Sequence, residues 1–284
     1  MAEANRQILL AALPTGKPGL EHFSANETDM PVPADGEALV RTLYVALDAA
    51  NRAWMMGATY RAGLNAGEVM AGAALAEVVE SRDPSLSAGD IVYADTGWQT
   101  YAALPARQLV KVARTDPLTH LLSVYGTAGL TACLGLMEIG RPKEGDTVVV
   151  SAAGGAVGSL VGQIAKLKGC RVVGIAGGQA KCDLLTRELG FDAAVDYKGL
   201  DLRGLAGALM AAAPGGVDIY FDNVGGDIME ANVYVMKNFG RIICCGSVSQ
   251  YDEMKPRPSL LPGPIVSKRL TLRGFIVSDF FAKR

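Results

Sequence analysis

Residues 147–169 read TVVVSAAGGAVGSLVGQIAKLKG, and this stretch decides the fold. Thr147 to Val150 are all β-branched, which suits a strand packed on a pleated surface. The strand is expected to end at Ser151, and a helix to start near Val157. Leu160, Ile164 and Leu167 recur at helical spacing, with Gln163, Lys166 and Lys168 between them. Strand and helix are joined by Ala153-Gly154-Gly155-Ala156-Val157-Gly158, a G-x-G-x-x-G pattern with alanine in its first position. In such a turn Gly155 lets the backbone approach a pyrophosphate, and Gly158 lets helix and strand pack closely. The helix N-terminus offers N–H groups and a partial positive charge to phosphates. A glycine pattern alone is weak, and a merely structural turn is its alternative. The strand before it and the helix after it favour dinucleotide binding.

The same texture continues to the C-terminus. CRVVGIA, AAVDY, VDIYFDNV, GRIICCGSV and TLRGFIV are apolar runs separated by helical patterns such as QAKCDLLTRELG, with Gly169 and Gly190 as helix stops. With the first strand they make six, the number of a doubly wound α/β sheet covered on both faces. Ser249 to Pro264 holds Pro256, Pro258, Pro262 and Pro264 and reads as an irregular loop between the fifth and sixth strands. Residues 1 to about 117 read differently. EALVRTLYVAL, VMAGAALAEVVE, DIVYADTGWQTYAAL and QLVKVA are short runs broken by turn signals, which suggests a β-rich, barrel-like domain.

The second strand, Arg171 to Ala176, selects the cofactor. It is followed by Gly177-Gly178, and no Asp or Glu stands there to hold a ribose 2′-hydroxyl. Lys181 opens the next helix, where its ammonium meets a 2′-phosphate. Its alternative is a solvated helix face; the missing acid and the lysine together favour NADP over NAD.

Composition narrows the class. Lys and Arg total 27 against 29 Asp and Glu, which leaves no broad basic field for nucleic acid. The two histidines, His22 and His120, are too few for a multi-histidine metal site, and the five cysteines include no C-x-x-C. No metal is expected. The N-terminus lacks signal-peptide layout, and the uncharged stretches Leu118–Met137 and Thr147–Ala165 are broken by Gly, Ser and Thr. The protein reads as soluble and cytoplasmic.

Several motifs in order resemble the zinc-free medium-chain dehydrogenase/reductase group. This is the family of prostaglandin/leukotriene reductases, alkenal double-bond reductases and bacterial curcumin reductases. Besides the glycine turn they are Gly97-Trp98-Gln99-Thr100-Tyr101, Gly129-Leu130-Thr131-Ala132, Asp222-Asn223-Val224-Gly225-Gly226, Cys245-Gly246-Ser247-Val248-Ser249-Gln250-Tyr251, and Leu272-Arg273-Gly274-Phe275-Ile276-Val277. The resemblance covers essentially the whole chain. It implies a GroES-like β domain over 1–120, a Rossmann NADP-binding domain over 121–284, and an active site in the cleft between them. The implied reaction is NADPH-dependent reduction of a carbon–carbon double bond conjugated to a carbonyl. An enone or enal is the substrate and a homodimer the assembly, formed through the Rossmann sheet edge where GRIICCGSV and TLRGFIV lie.

Carried over residue by residue, Ala153, Gly155, Ala156, Val157, Gly158 and Gly177 fall at the cofactor turns. Lys181 and Tyr197 match 2′-phosphate contacts, and Thr131 a position near the nicotinamide amide. Asn223, Gly246 and Ser247 match strand ends lining the cofactor cleft. Tyr251 matches a cofactor-cleft tyrosine that hydrogen-bonds the substrate carbonyl or donates a proton. Tyr60 matches a substrate-cleft tyrosine, and Phe275 and Val277 an apolar substrate wall. Tyr60 has packing as its alternative, and Tyr251 a plain surface position.

Two departures stand out. Where the family shows L-D-P-Y-M-R this chain has Leu47-Asp48-Ala49-Ala50-Asn51-Arg52, which reshapes the cleft. Family members also continue for some tens of residues beyond the G-F-I strand, with returning strands of the β domain, whereas this sequence stops at Phe281-Ala282-Lys283-Arg284. Loss of that segment would expose strand edges. It is the one feature favouring a noncatalytic NADPH-binding protein. A quinone reductase is the neighbouring enzyme reading, and Tyr251 within its motif favours the double-bond reductase.

Overall fold

The computed structural model describes residues 4–252 and 262–283, in two compact units, Met1–Leu122 and Ser123–Arg284. The first unit is antiparallel. Strand β1 (Asn5–Leu10) pairs with β2 (Phe23–Thr28). Strand β3 (Glu37–Val45) is followed by helix α1 (Ala49–Trp54), then β4 (Ala74–Ser81), β5 (Ile91–Ala94), β6 (Tyr101–Pro105) and β7 (Val110–Lys111). These five strands form a sheet in the order β6-β3-β4-β5-β7. Ala38 and Val40 of β3, Ala76 and Val78 of β4 and Val92 of β5 share one buried face, the period-2 signature of a half-buried sheet.

The Leu47–Arg52 departure forms the start of α1. Asp48 is its N-cap, and the Asn51 side chain accepts from the Asp48 N–H at 2.7 Å while donating to the Ala71 carbonyl at 2.9 Å.

The second unit opens with α2 (Thr127–Leu134), which runs on into a π-helical turn over Gly135–Gly140. Strand and helix then alternate: β8 (Thr147–Val150), α3 (Ala156–Leu167), β9 (Arg171–Ala176), α4 (Gln179–Arg187), β10 (Ala193–Asp196), α5 (Leu202–Ala212), β11 (Val217–Asp222), α6 (Gly226–Val235), β12 (Met236–Cys244), α7 (Pro262–Lys268) and β13 (Thr271–Gly274). The strand order is β10-β9-β8-β11-β12-β13 and every pairing is parallel. This is the doubly wound arrangement, with its switch point between β8 and β11.

The reason that β8 is apolar throughout is visible in its neighbours. Val148 and Val150 pack with Val161 and Ala165 of α3, while Val149 packs with Leu205 and Leu209 of α5. All three valines are fully buried, each contributing about 1.5 kcal/mol or more.

Three expectations need correction. Strand β12 begins at Met236, four residues before the GRIICC run, with a register shift against β11 and a left-handed Phe239 (φ 63°) inside it. Because β12 is paired with both β11 and β13, it offers no sheet edge; among the described residues the edges of this sheet are β10 and β13, and of the two expected strands only β13 is at one. The proline-rich loop is also shorter than expected. Pro262 and Pro264 lie in the first turn of α7, where a missing N–H costs nothing, while Pro256 and Pro258 lie outside the described residues. Among the described residues no helix is long and apolar enough to cross a membrane.

Candidate functional site

A cavity of about 570 Å³ lies within the second unit, at the C-terminal ends of the parallel strands. It is bounded by the residues that follow β8, β9, β10, β11 and β12, across the switch point where such sheets bind ligands. Gly155, Gly177, Lys181 and Tyr197 line it. Leu202, Leu205 and Ile228 supply an apolar wall, and Val248, Ser249 and Gln250, which lie within the Cys245–Tyr251 motif but are assigned no role by the sequence, a rim.

The turn after β8 is built by close approach. Ala152 is left-handed (φ 48°), and its carbonyl accepts from the Gly155 N–H at 2.9 Å. A Cβ at Gly158 would stand 2.9 Å from both the Ala152 carbonyl carbon and the Ala153 Cα, so only glycine fits there. Gly155 is the N-cap of α3 and has no side chain between the helix N-terminus and the cavity. Ala153 serves differently: it is fully buried in the core, with its N–H bonded to the Ile175 carbonyl. Ala156 and Val157 form the first turn of α3.

Beneath the turn lies a buried polar network, also missed from sequence. Asp222 Oδ1 accepts from the Tyr220 hydroxyl at 2.6 Å, Ser151 Oγ at 3.1 Å, and the N–H groups of Val224 and Gly225 at 3.0 and 2.9 Å. Asn223 in turn donates its side-chain amide to the Ser151 carbonyl at 2.8 Å. Burial and the Asp222 charge push the Tyr220 phenol well above its ordinary range, so it stays a donor. The network fixes the ends of β8 and β11 against each other, and with them the Val224–Gly226 side of the cavity.

At the other end, Asp196 Oδ1 accepts from the Gly178 N–H at 2.9 Å and the Lys198 N–H at 3.0 Å. Those two bonds hold its carboxyl below the usual range. The Lys181 side chain runs past Gly154, with Cδ 3.6 Å from where a Gly154 Cβ would be.

The other singled-out residues are distributed as follows. Asn223, Gly246 and Tyr251 come together beyond β11 and β12: a Gly246 Cβ would be 3.1 Å from the Asn223 carbonyl oxygen and 3.7 Å from the Tyr251 hydroxyl. Ser247 stands beside Gly225, its Cα 3.7 Å from where a Gly225 Cβ would be. Thr131 is half-buried in α2 and does not line the cavity. Phe275 packs edge-on against Phe221 and Phe280, at 6.4 and 6.0 Å between ring centres, so its ring is engaged in the core. Val277 begins the following 3-10 turn. Tyr60 belongs to the first unit, where its hydroxyl accepts from the Trp54 indole at 3.2 Å; Arg61 lies over Trp54 at 4.3 Å and pairs with Asp95 at 3.0 Å.

Comparison with known proteins agrees with this architecture. Residues 6–112 match a model described as the N-terminal domain of oxidoreductase, and 156–283 one described as zinc-binding dehydrogenase. The chain is 42% identical over 289 residues to the NADPH-dependent curcumin reductase of Escherichia coli (strain K12), covering 99% of this chain and 83% of that protein. The chain belongs to the medium-chain dehydrogenase/reductase superfamily. It is also 38% identical over 290 residues to the 2-alkenal reductase (NADP(+)-dependent) of Nicotiana tabacum, covering 99% of this chain and 84% of that protein. The crystal structure of CurA in complex with NADPH from Vibrio vulnificus superposes with a TM-score of 0.91 at 40% identity, covering 98% of this chain and 84% of that one.

The residues fit NADPH. The glycine turn, the N-terminus of α3 and Lys181 form a cradle that Gly155 and Gly177 line without side chains. They do not fit zinc, despite the family description. Among the described residues no group of three or more His, Cys, Asp or Glu is placed to hold a metal. Burial, and next the nearby Asp222 charge, raise the Cys244 and Cys245 thiols to about 11 and about 12.

Proposed function

We propose that the protein is an NADPH-dependent reductase of the carbon–carbon double bond of α,β-unsaturated ketones and aldehydes. The observation that carries this reading is the phosphate cradle in a chain 42% identical to an NADPH-dependent curcumin reductase across nearly its whole length. The N-terminal substrate domain is assigned to 1–120 and the cofactor domain to 121–284.

When bound, NADPH supplies a hydride for the β-carbon of the substrate. The chain's own residues bind and orient. The α3 N-terminus and Gly155 hold the pyrophosphate, and Lys181 and Tyr197 the 2′-phosphate. Thr131, Asn223, Gly246 and Ser247 are assigned to the nicotinamide half. Tyr251 is assigned to the developing enolate, donating its phenolic proton or a hydrogen bond to the oxygen. Its support is its place beside Gly246 and Asn223 at the strand ends. Tyr60, Phe275 and Val277 are assigned to the substrate side.

The assembly is proposed as a homodimer through the β13 edge, and a monomeric mass by light scattering would overturn it. A cytoplasmic location is proposed from the five free thiols among the described residues. The test of function is consumption of NADPH with a panel of enones, enals and quinones. Turnover with enones and enals, and none with their saturated carbonyl counterparts, is the expected result. Turnover with quinones alone would replace this reading, and failure to bind NADPH would end it.

A further inference from the structure

We propose that Lys198, lying over the Gly177-Gly178 turn, is a second cation for the adenosine 2′-phosphate of NADPH, in addition to Lys181. The proposal rests on the reading of the cavity as the NADPH site.

The geometry begins with Asp196. One carboxylate oxygen accepts from both the Gly178 and Lys198 N–H groups, so it ties the turn after β9 to the loop after β10. The chain therefore doubles back, and the Lys198 side chain lies over the glycine turn. Its Cε is 3.1 Å from where a Gly177 Cβ would be, and its Nζ 3.9 Å from where a Gly178 Cβ would be. The Tyr197 ring meets the same spot, with its hydroxyl 3.2 Å from that Gly177 Cβ position. Lys181 approaches from α4, across Gly154. The Lys198 side chain and the Tyr197 phenol thus meet over a patch of backbone that carries no side chain of its own, and Lys181 lines the cavity that this turn bounds.

The Asp196 carboxylate acts on the Lys198 charge from nearby, but among the described residues neither the Lys181 nor the Lys198 ammonium is held in a hydrogen bond or ion pair. By contrast, Lys166 and Lys237 of the same unit are paired with Asp192 and Asp218. Of the nearby carboxylates, Asp196 Oδ1 is occupied by two backbone donors and Asp201 Oδ1 by the Gly204 N–H. A dianion with three acceptor oxygens can take one charge-assisted bond from each lysine and one hydrogen bond from Tyr197. A ribose hydroxyl offers nothing comparable, so the pair would select NADPH over NADH.

The test uses calorimetric titration with adenosine 2′,5′-bisphosphate and adenosine 5′-monophosphate, on the wild type, Lys198→Ala and Lys198→Arg. The expected result is that Lys198→Ala binds the bisphosphate roughly 10-fold or more weakly, with the monophosphate unchanged. Lys198→Arg keeps most of the affinity, and the salt dependence of bisphosphate binding falls in the alanine variant. Unchanged bisphosphate binding by Lys198→Ala, in a protein that still discriminates the two ligands, overturns the role of Lys198 and leaves the NADPH reading standing. Equal weakening for both ligands also overturns it, since a structural role would do that. A wild type indifferent to the 2′-phosphate removes the NADPH reading, and Lys198 with it.

Discussion

The Tyr220 hydroxyl donates to Asp222 Oδ1 at 2.6 Å, inside the sheet and beneath the turn that bounds the cavity. Both residues are buried, and the same oxygen also takes Ser151 and two backbone N–H groups. Tyr220→Phe removes one donor to a buried carboxylate without changing the ring. Unfolding in urea should show a loss of about 1.5–3 kcal/mol, the range for a hydrogen bond to a charged group. NADPH affinity should weaken with it, because the Val224–Gly225 N–H groups are set by the same oxygen. Full stability in the variant would mean that the network is not holding the strand ends.

Two glycine-to-alanine changes should act in opposite directions. At Gly158 the added methyl meets the Ala152 carbonyl and the Ala153 Cα, so α3 must move off the turn. A loss of about 1–3 kcal/mol is expected, together with loss of NADPH binding. Gly207 lies within α5 with no atom near its Cβ position. There the helix propensity gain acts alone, and stability should rise by about 0.5–1 kcal/mol with NADPH binding unchanged. Thermal midpoints and a fluorescence titration on the two variants check both signs.

These two sites also mark what the sequence makes legible. The turn around Gly155 and Gly158 is readable because strand, glycine spacing and helix are contiguous, and the parallel sheet follows from apolar runs such as Val148–Val150, which are buried on both faces. The Tyr220–Asp222–Ser151 network is not readable, since Ser151 lies about 70 residues from its partners and only the parallel pairing of β8 with β11 joins them. Lys198 escapes for a related reason. The cofactor signal is sought after β9, whereas Lys198 follows β10 and reaches the same turn through Asp196. A local cue exists in Asp196-Tyr197-Lys198-Gly199, where an aspartate accepting from the N–H two residues on makes an Asx-turn. The early start of β12 is hidden because Lys237, Asn238 and Phe239 do not alternate and Phe239 is left-handed.

Alkaline pH should destabilise the fold before it does ordinary surface chemistry. Burial first, and the Asp222 charge second, raise Cys244 to about 11 and Cys245 to about 12 from an ordinary 9.0. A thiol with a raised folded-state pKa binds its proton more tightly in the native state. Its stabilisation is complete below pH 9 and is lost as pH rises through 11 and 12. Tyr220 acts in the same direction at higher pH. The thermal midpoint should therefore fall progressively above pH 9, and Cys244→Ala with Cys245→Ala should make that fall shallower. A flat profile to pH 11 would contradict the burial of these thiols.

Asp196 should separate geometry from charge at the cofactor turn. Its oxygen is required as an acceptor for the Gly178 and Lys198 N–H groups, but its negative charge faces a site meant for a phosphate. Asparagine keeps the acceptor and drops the charge. Asp196→Asn should then bind NADPH as well as the wild type or better at neutral pH, while Asp196→Ala frees both N–H groups and weakens NADPH and NADH alike. That pattern differs from Lys198→Ala, which should affect only the ligand with a 2′-phosphate, NADPH. The same logic sets a pH dependence: the two N–H bonds hold the Asp196 carboxyl below its ordinary 3.8. The carboxylate's contribution is therefore present above that value and disappears as pH falls through the depressed folded-state pKa. Titrations of the three variants with NADPH and NADH at neutral pH decide the matter. Equal weakening by the asparagine and alanine changes would show that the charge, rather than the acceptor, is what the turn uses.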